Sequence, residues 1–167
     1  MIRILFVCMG NICRSPTAES VMRELAKREG LSSILEVDSA GTHTYREGEL
    51  PDLRVRRTAA SRGYDLSGIR ARRVKDQDFT RFDCILAMDR QNLESLRRSC
   101  PSEHLSKLGL FLDYADGLAL DEIPDPYYGG PEGFEKVLDL CELGAQGLLG
   151  AIAKPGFGSI ADRRGRP

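Results

Sequence analysis

Ile2-Arg3-Ile4-Leu5-Phe6-Val7 leads into Cys8-Met9-Gly10-Asn11-Ile12-Cys13-Arg14-Ser15 and then Pro16-Thr17-Ala18-Glu19. The first six residues read as a buried strand, Cys8 to Ser15 as a loop, and Pro16 as the first position of a helix. A loop between the C-terminal end of a strand and a helix N-terminus turns its backbone N–H groups inward. With the positive end of the helix dipole they make a site for a tetrahedral dianion such as phosphate. Gly10 removes a Cβ where the loop must bend, and Asn11 tolerates a left-handed conformation. Cys8 opens the loop beneath the anion, where the field of the N–H groups and Arg14 favours the nucleophilic thiolate. Arg14 offers a planar fork for two phosphoryl oxygens. Ser15 is placed to donate to the Cys8 sulfur, and its oxygen is otherwise a helix cap. Singly, Cys8 is a small buried hydrophobe, Arg14 a first-turn surface residue and Ser15-Pro16 an ordinary helix start. Together, in this order, they read as a phosphate loop built from Met9, Gly10, Asn11, Ile12, Cys13, Arg14 and Ser15.

The run Val7 to Glu19 resembles the phosphate-binding loop of the low-molecular-weight protein tyrosine phosphatases. The resemblance continues in Asp38-Ser39-Ala40-Gly41-Thr42, in Ala87-Met88-Asp89 and in Asp125-Pro126-Tyr127-Tyr128-Gly129, and covers residues 1 to about 153. It implies a four-stranded parallel sheet flanked by helices, with Cys8 as nucleophile, Arg14 as phosphate ligand and Asp125 as general acid. It also implies that Ser39 helps hold the loop through Asn11, that Tyr45 forms one wall of the substrate cleft beside Ile12, and that Cys13 traps oxidised Cys8 as a disulfide. Members of the family often place a His near Ile69-Arg70-Ala71 to support the loop; this chain has none there, so the support must differ.

The rest of the chain agrees with one α/β domain over 1–153, a doubly wound parallel sheet with the ligand loop at a strand's C-terminal edge. The 167 residues are 41% hydrophobic with a net charge of −1, which makes no global case for nucleic acid or membrane partners. No apolar run reaches the ~20 residues of a membrane span, and the N-terminus has no signal-peptide pattern, so a cytoplasmic monomer is the expectation. The five cysteines are Cys8, Cys13, Cys84, Cys100 and Cys141. Their odd number and spacing suit neither a disulfide scaffold nor a zinc site, and no metal or other cofactor is expected.

Helices are predicted from Pro16 to Glu29, Asp52 to Arg62 and Arg90 to Ser99, the last capped by Asp89, and again after Pro131. Strands are predicted over Ile34 to Ser39, Asp83 to Met88 and Leu105 to Leu112, with a sharp turn at Ser39-Ala40-Gly41-Thr42. Residues 43 to 53 read as a loop. Cys84 and Cys141 fall on core positions. Arg46 to Arg81 holds ten basic residues against six acidic, a solvated face or a surface that steers acidic phosphoproteins; Phe111 to Glu142 holds nine acids against Lys136. Lys154 to Pro167 reads as a disordered tail.

A thiolate that attacks a phosphate monoester must expel an alkoxide or phenoxide, so a nearby carboxylic acid is required. Asp125 is the candidate: Pro126 stiffens its loop, and Tyr127 and Tyr128 line the cleft mouth. The expected reaction is metal-independent hydrolysis of phosphotyrosine proteins through a cysteinyl-phosphate, releasing inorganic phosphate. Protein arginine phosphatases and arsenate reductases are the enzymatic alternatives. In the former a Thr stands where Ile12 is and a Phe follows Asp-Pro; the latter carry further redox cysteines that Cys84 and Cys100 do not match. A phosphotyrosine-binding module is the non-enzymatic alternative, against which intact Cys8, Arg14 and Asp125 argue.

Overall fold

A computed structural model describes residues 1–157. Four strands, β1 (Ile2–Cys8), β2 (Leu35–Gly41), β3 (Cys84–Ala87) and β4 (Leu108–Leu110), form one all-parallel sheet in the order β2-β1-β3-β4. Five helices surround it: α1 (Arg14–Arg28), α2 (Leu53–Ser61), α3 (Asp76–Arg81), α4 (Arg90–Ser99) and α5 (Pro131–Ile152). This is the predicted doubly wound fold. The chain turns to one side of β1 for β2 and to the other for β3. The carboxyl ends of β1 and β3 therefore flank a topological switch point, where open α/β sheets hold their ligands.

Strand β1 lies at the centre and is buried on both faces, which is why it reads as a continuous apolar run. Its alternation sends Ile4, Phe6 and Cys8 towards α1, α2 and α5, and Leu5 and Val7 towards α3 and α4. On the first face Phe6 meets Phe111 edge-on, with ring centroids 4.8 Å apart. Cys84 and Cys141 are buried in this same layer, as predicted.

Apart from shifts of one residue, the elements differ from the sequence reading as follows. Helix α1 begins at Arg14, not Pro16: Pro16 occupies a first-turn position where no N–H is needed, so it does not have to mark the start. Strand β2 runs on to Gly41, because Ser39, Ala40 and Gly41 stay in register with Phe6, Val7 and Cys8; the predicted turn comes later. Strand β4 shrinks to three residues because 3-10 turns at Ser102–Lys107 and Phe111–Tyr114 take its two ends. Helix α3 was not foreseen, being too short to show a period. Helix α4 has the predicted limits, with the Asp89 carboxylate accepting from the Asn92 N–H at 2.7 Å.

The opposed charge runs meet in one place. Arg62, just after α2, bonds Glu135, Asp139 and Glu142 of α5 at 2.5 to 2.9 Å. Of the predicted tail, residues 158–167 lie outside the described residues. Phe157 packs against the core, so the segment from Lys154 does not begin free of it.

Two glycines of α5 give opposite expectations. A Cβ on Gly147 would sit 1.7 Å from the Tyr114 carbonyl oxygen, whereas one on Gly150 would meet nothing within 4 Å. Gly147→Ala is therefore expected to destabilise the fold by about 1–3 kcal/mol, and Gly150→Ala to stabilise it by about 0.5–1 kcal/mol. Urea unfolding midpoints of the two variants check this; a Gly147→Ala midpoint at or above wild type would contradict the packing of α5.

Candidate active site

Cys8 ends β1 and is 3% exposed. Its Sγ accepts from the Asn11 backbone N–H at 3.2 Å and lies 3.0 Å from the Ser15 Oγ. Ser15 Oγ in turn accepts from Asn11 Nδ2 at 2.8 Å, and the Ala40 carbonyl lies 3.4 Å from its hydroxyl. The Cys8 sulfur is the nearer of these two partners of the Ser15 hydroxyl.

Asn11 has φ of 56°, the left-handed conformation expected of it. Its amide also donates to Ser39 Oγ at 3.0 Å, which is the pairing the family resemblance implied. The missing histidine is replaced by backbone: the Arg72 N–H donates to Asn11 Oδ1 at 2.9 Å. The Arg72 carbonyl accepts from Gly41 N–H at 2.8 Å, and the Arg72 guanidinium is fixed by Asp38 and Asp78. Gly41 is required where it is, since a Cβ there would stand 2.6 Å from the Met9 carbonyl oxygen.

Behind Ser39 lies Glu19. The Ser39 hydroxyl donates to it at 2.5 Å and Arg23 pairs with it at 2.6 Å. Burial dominates and pushes the Glu19 carboxyl up to about 7, against the opposing pull of Arg23 and of the Ser39 hydrogen bond.

Arg14 is also 3% exposed. Its Nη1 donates to Asp89 Oδ2 at 2.6 Å and to the Ile123 carbonyl at 2.9 Å, and its Nη2 lies 3.8 Å from Asp125 Oδ2. Burial by itself works against the guanidinium charge, but Cys8, Asp89 and Asp125 outweigh it and raise its pKa. Asp89, read from sequence as a helix cap, therefore holds Arg14 with one oxygen and caps α4 with the other. No sequence pattern separates these two uses.

A cleft of about 210 Å³ is lined by Cys8, Met9, Gly10, Ile12, Cys13 and Arg14 on its floor, and by Tyr45, Asp125, Tyr127 and Tyr128 on its walls. The side chains of Asn11, Ser15 and Ser39 lie behind the loop and do not line the cleft. Tyr45 and Tyr128 stand 94% and 93% exposed at the mouth. Tyr127 is held between two arginines. Arg46 donates to its hydroxyl at 2.9 Å, and Arg54 donates to its carbonyl at 3.1 Å and lies 5.3 Å from its ring centroid. Asp125 Oδ1 accepts the Tyr127 N–H at 3.1 Å, an Asx turn that fixes the Asp125 carboxyl. Sequence reasoning missed Arg46 and Arg54, which stood undistinguished within the basic run. The Cys13 thiol is pushed up, by burial first and then by Asp52 and Cys8.

A sequence model described as low molecular weight phosphotyrosine protein phosphatase matches residues 3–156. The chain belongs to the low-molecular-weight protein tyrosine phosphatase family. The phosphatase YfkJ of Bacillus subtilis is 41% identical over 154 residues, which are 92% of this chain and 97% of that protein. The low-molecular-weight protein-tyrosine-phosphatase of Streptomyces coelicolor is 42% identical over 163 residues, 95% of this chain and 98% of that one. Among solved structures, an Entamoeba histolytica protein tyrosine phosphatase with Hepes in its active site superposes with a TM-score of 0.88. It is 40% identical, with 91% of this chain and 97% of that chain covered.

The Glu19 environment gives a prediction on stability within this family fold. Below about pH 4.5 its carboxyl is protonated in both the folded and the unfolded chain; between 4.5 and about 7 only the folded chain keeps the proton. The stabilisation is thus fully present below the lower value and is lost as pH rises through the upper one, an effect of about 3 kcal/mol. Urea unfolding across this window should show Glu19→Gln losing less stability than wild type as pH rises; parallel curves would contradict it.

Proposed function

We propose that the protein is a protein tyrosine phosphatase that hydrolyses phosphotyrosine without a metal, with Cys8 as nucleophile, Arg14 as phosphate ligand and Asp125 as general acid. One observation carries this reading: the Cys8 sulfur, the buried Arg14 guanidinium and the Asp125 carboxyl face a single cleft. In the first step the Cys8 thiolate attacks phosphorus in line with the leaving oxygen. The loop N–H groups and Arg14 hold the three equatorial oxygens, and Asp125 delivers its proton to the departing tyrosine oxygen. The products are tyrosine and a cysteinyl-phosphate. Asp125, now a carboxylate, takes a proton from water as that water attacks phosphorus, releasing inorganic phosphate and the Cys8 thiolate. The loop dipoles and Arg14 supply the charge stabilisation that Mg²⁺ supplies in other phosphoryl transfers.

Several features favour tyrosine over arginine as the leaving group. Ile12 offers an apolar surface to a flat ring. The Tyr127 wall is flanked by Arg46 and Arg54, which disfavour a cationic guanidinium beside them. Arsenate reduction is disfavoured because Cys84 is buried in β3 and Cys100 ends α4, neither of them lining the cleft. Tyr45 and Tyr128 serve as the cleft's outer walls, and phosphotyrosine proteins as the substrates. The protein is read as a cytoplasmic monomer; its five cysteines are free, as a reducing compartment leaves them. No helix among the described residues is long and apolar enough to cross a membrane.

Phosphotyrosine, phosphoserine and phosphoarginine substrates compared without added metal test the assignment. Phosphotyrosine turnover is expected, abolished in Cys8→Ser, lowered by roughly 10²–10³ in Arg14→Lys and by roughly 10²–10⁴ in Asp125→Asn. A preference for phosphoarginine would overturn the reading of Ile12 and Tyr127.

Cys13 serves as the redox partner of Cys8: it is buried in the same loop and lines the floor of the same cleft. Attack of the Cys13 sulfur on a Cys8 sulfenic acid forms the disulfide and releases water. Peroxide inactivation is then reversible by thiol in wild type, and recovery should fall in Cys13→Ala; equal recovery would refute the role.

A further inference from the structure

A second cavity, of about 220 Å³, lies on the far side of the segment that walls the catalytic cleft. His43 lines both cavities. Three chain segments run side by side here. The Thr42 and His43 N–H groups donate to the Cys8 and Met9 carbonyls at 3.0 and 2.9 Å. On the other side, Gly41 N–H donates to the Arg72 carbonyl at 2.8 Å and Val74 N–H to the Gly41 carbonyl at 3.0 Å. The segment from Arg72 to Lys75 is therefore two chain spacings from the phosphate loop, about 10 Å.

The lining of this cavity is cationic and rich in hydroxyls. Arg73 and Lys75 contribute two exposed positive side chains, and Thr42, Ser95 and Ser99 three hydroxyls; Asp76 is the one carboxylate. The neighbouring Arg72 is neutralised by Asp38 and Asp78. Neither the Arg73 guanidinium nor the Lys75 ammonium is in an ion pair among the described residues. Of the basic run, Arg54, Arg62, Arg72 and Arg81 are tied to carboxylates; Arg56, Arg57 and Arg70 are, like Arg73 and Lys75, in no ion pair among the described residues, but of these five only Arg73 and Lys75 line this cavity, and Glu47 accepts the Arg73 backbone N–H at 3.2 Å.

We infer that this cavity is a second anion subsite, which takes an acidic group of the same substrate chain whose phosphotyrosine occupies the Cys8 cleft. The inference rests on the phosphatase reading above and names its substrate class: phosphotyrosine with an anionic residue nearby. An extended peptide advances about 3.3 Å per residue, so about 10 Å corresponds to an acidic group some two to four positions from the phosphotyrosine. The shared chemistry is an anionic oxygen group, either the carboxylate of Glu or Asp or the phosphate of a second phosphorylated side chain.

The test uses phosphotyrosine peptides with a single Glu, Gln or phosphoserine placed at each offset from one to five on either side. Each is assayed with wild type and with the Arg73→Ala/Lys75→Ala double variant, and phenyl phosphate is the common reference. Wild type should show kcat/KM about three- to tenfold higher for Glu than for Gln at one or two neighbouring offsets, falling at raised salt. The double variant should lose this gain and keep its phenyl phosphate turnover. A larger gain for phosphoserine than for Glu would assign the subsite to phosphate, and an equal or smaller one to carboxylate. Equal kcat/KM for Glu, Gln and phosphoserine at every offset, or a preference that survives the double variant, would overturn the subsite alone. Failure of wild type to hydrolyse phenyl phosphate would instead strike the phosphatase reading, and the subsite with it.

Discussion

A single buried carboxamide shapes the loop that follows β1. Asn11 gives both its amide protons away, to Ser15 and to Ser39, and accepts the Arg72 N–H on its oxygen. Each of those bonds fixes something else. The bond to Ser15 leaves that hydroxyl one free proton and one close acceptor, the Cys8 sulfur. The bond to Ser39 ties the loop to β2, and the bond from Arg72 ties it to the segment beyond. A left-handed backbone at a non-glycine residue is strained, and it persists because these three anchors over-determine it. A buried amide left without partners costs about 1–3 kcal/mol for each lost group, so the network tends to hold as a unit or not at all.

The parallel sheet supplies what that network cannot, namely the meeting of distant residues. Arg14 follows β1 and Asp89 follows β3, and the strand order puts these two carboxyl ends side by side. The ion pair between them is nearly out of solvent. It would cost more than it returns were Arg14 not also bonded to the Ile123 carbonyl and aimed at Asp125. The positive charge is thereby fixed in direction towards the cleft by contacts within the protein alone.

How much of this was legible in the sequence follows from the range of the interactions. The strand, loop and helix around Cys8 are local, so their order could be read directly from Ile2 to Glu19. Helix α4 was placed to the residue because Asp89 is a strong cap with a periodic run after it. Helix α1 starts two residues before Pro16, which is as acceptable in the third position of a helix as in the first. Strand β2 was cut short at Ser39 because the small residues Ser39, Ala40 and Gly41 look like a turn, whereas their strand conformation comes from pairing with β1. The replacement of the missing histidine was not legible at all. A backbone N–H at Arg72 carries no side-chain signature, and its role exists only through the crossing of chains at Gly41.

The arginines around Tyr127 show how a run that looked like undifferentiated surface charge divides by partner. The Asp52 N–H donates to the Ile12 carbonyl at 2.8 Å, and the Asp52 carboxylate, capping α2, grips Arg54. Arg54 lies over Phe134 at 4.7 Å and bonds the Tyr127 carbonyl. One short platform at the start of α2 therefore touches the phosphate loop at one end and the loop of Asp125 at the other. The spacing between Cys8 and Asp125 is set through this platform as well as through Arg14, by packing and charge within the protein. Arg62 spends its charge on α5, Arg72 on Asp38 and Asp78, and Arg46 and Arg54 on Tyr127 and Asp52. Each of these cations has an internal partner, whereas Arg73 and Lys75 stand one chain beyond the cleft wall, lining the neighbouring cavity with no ion pair of their own among the described residues.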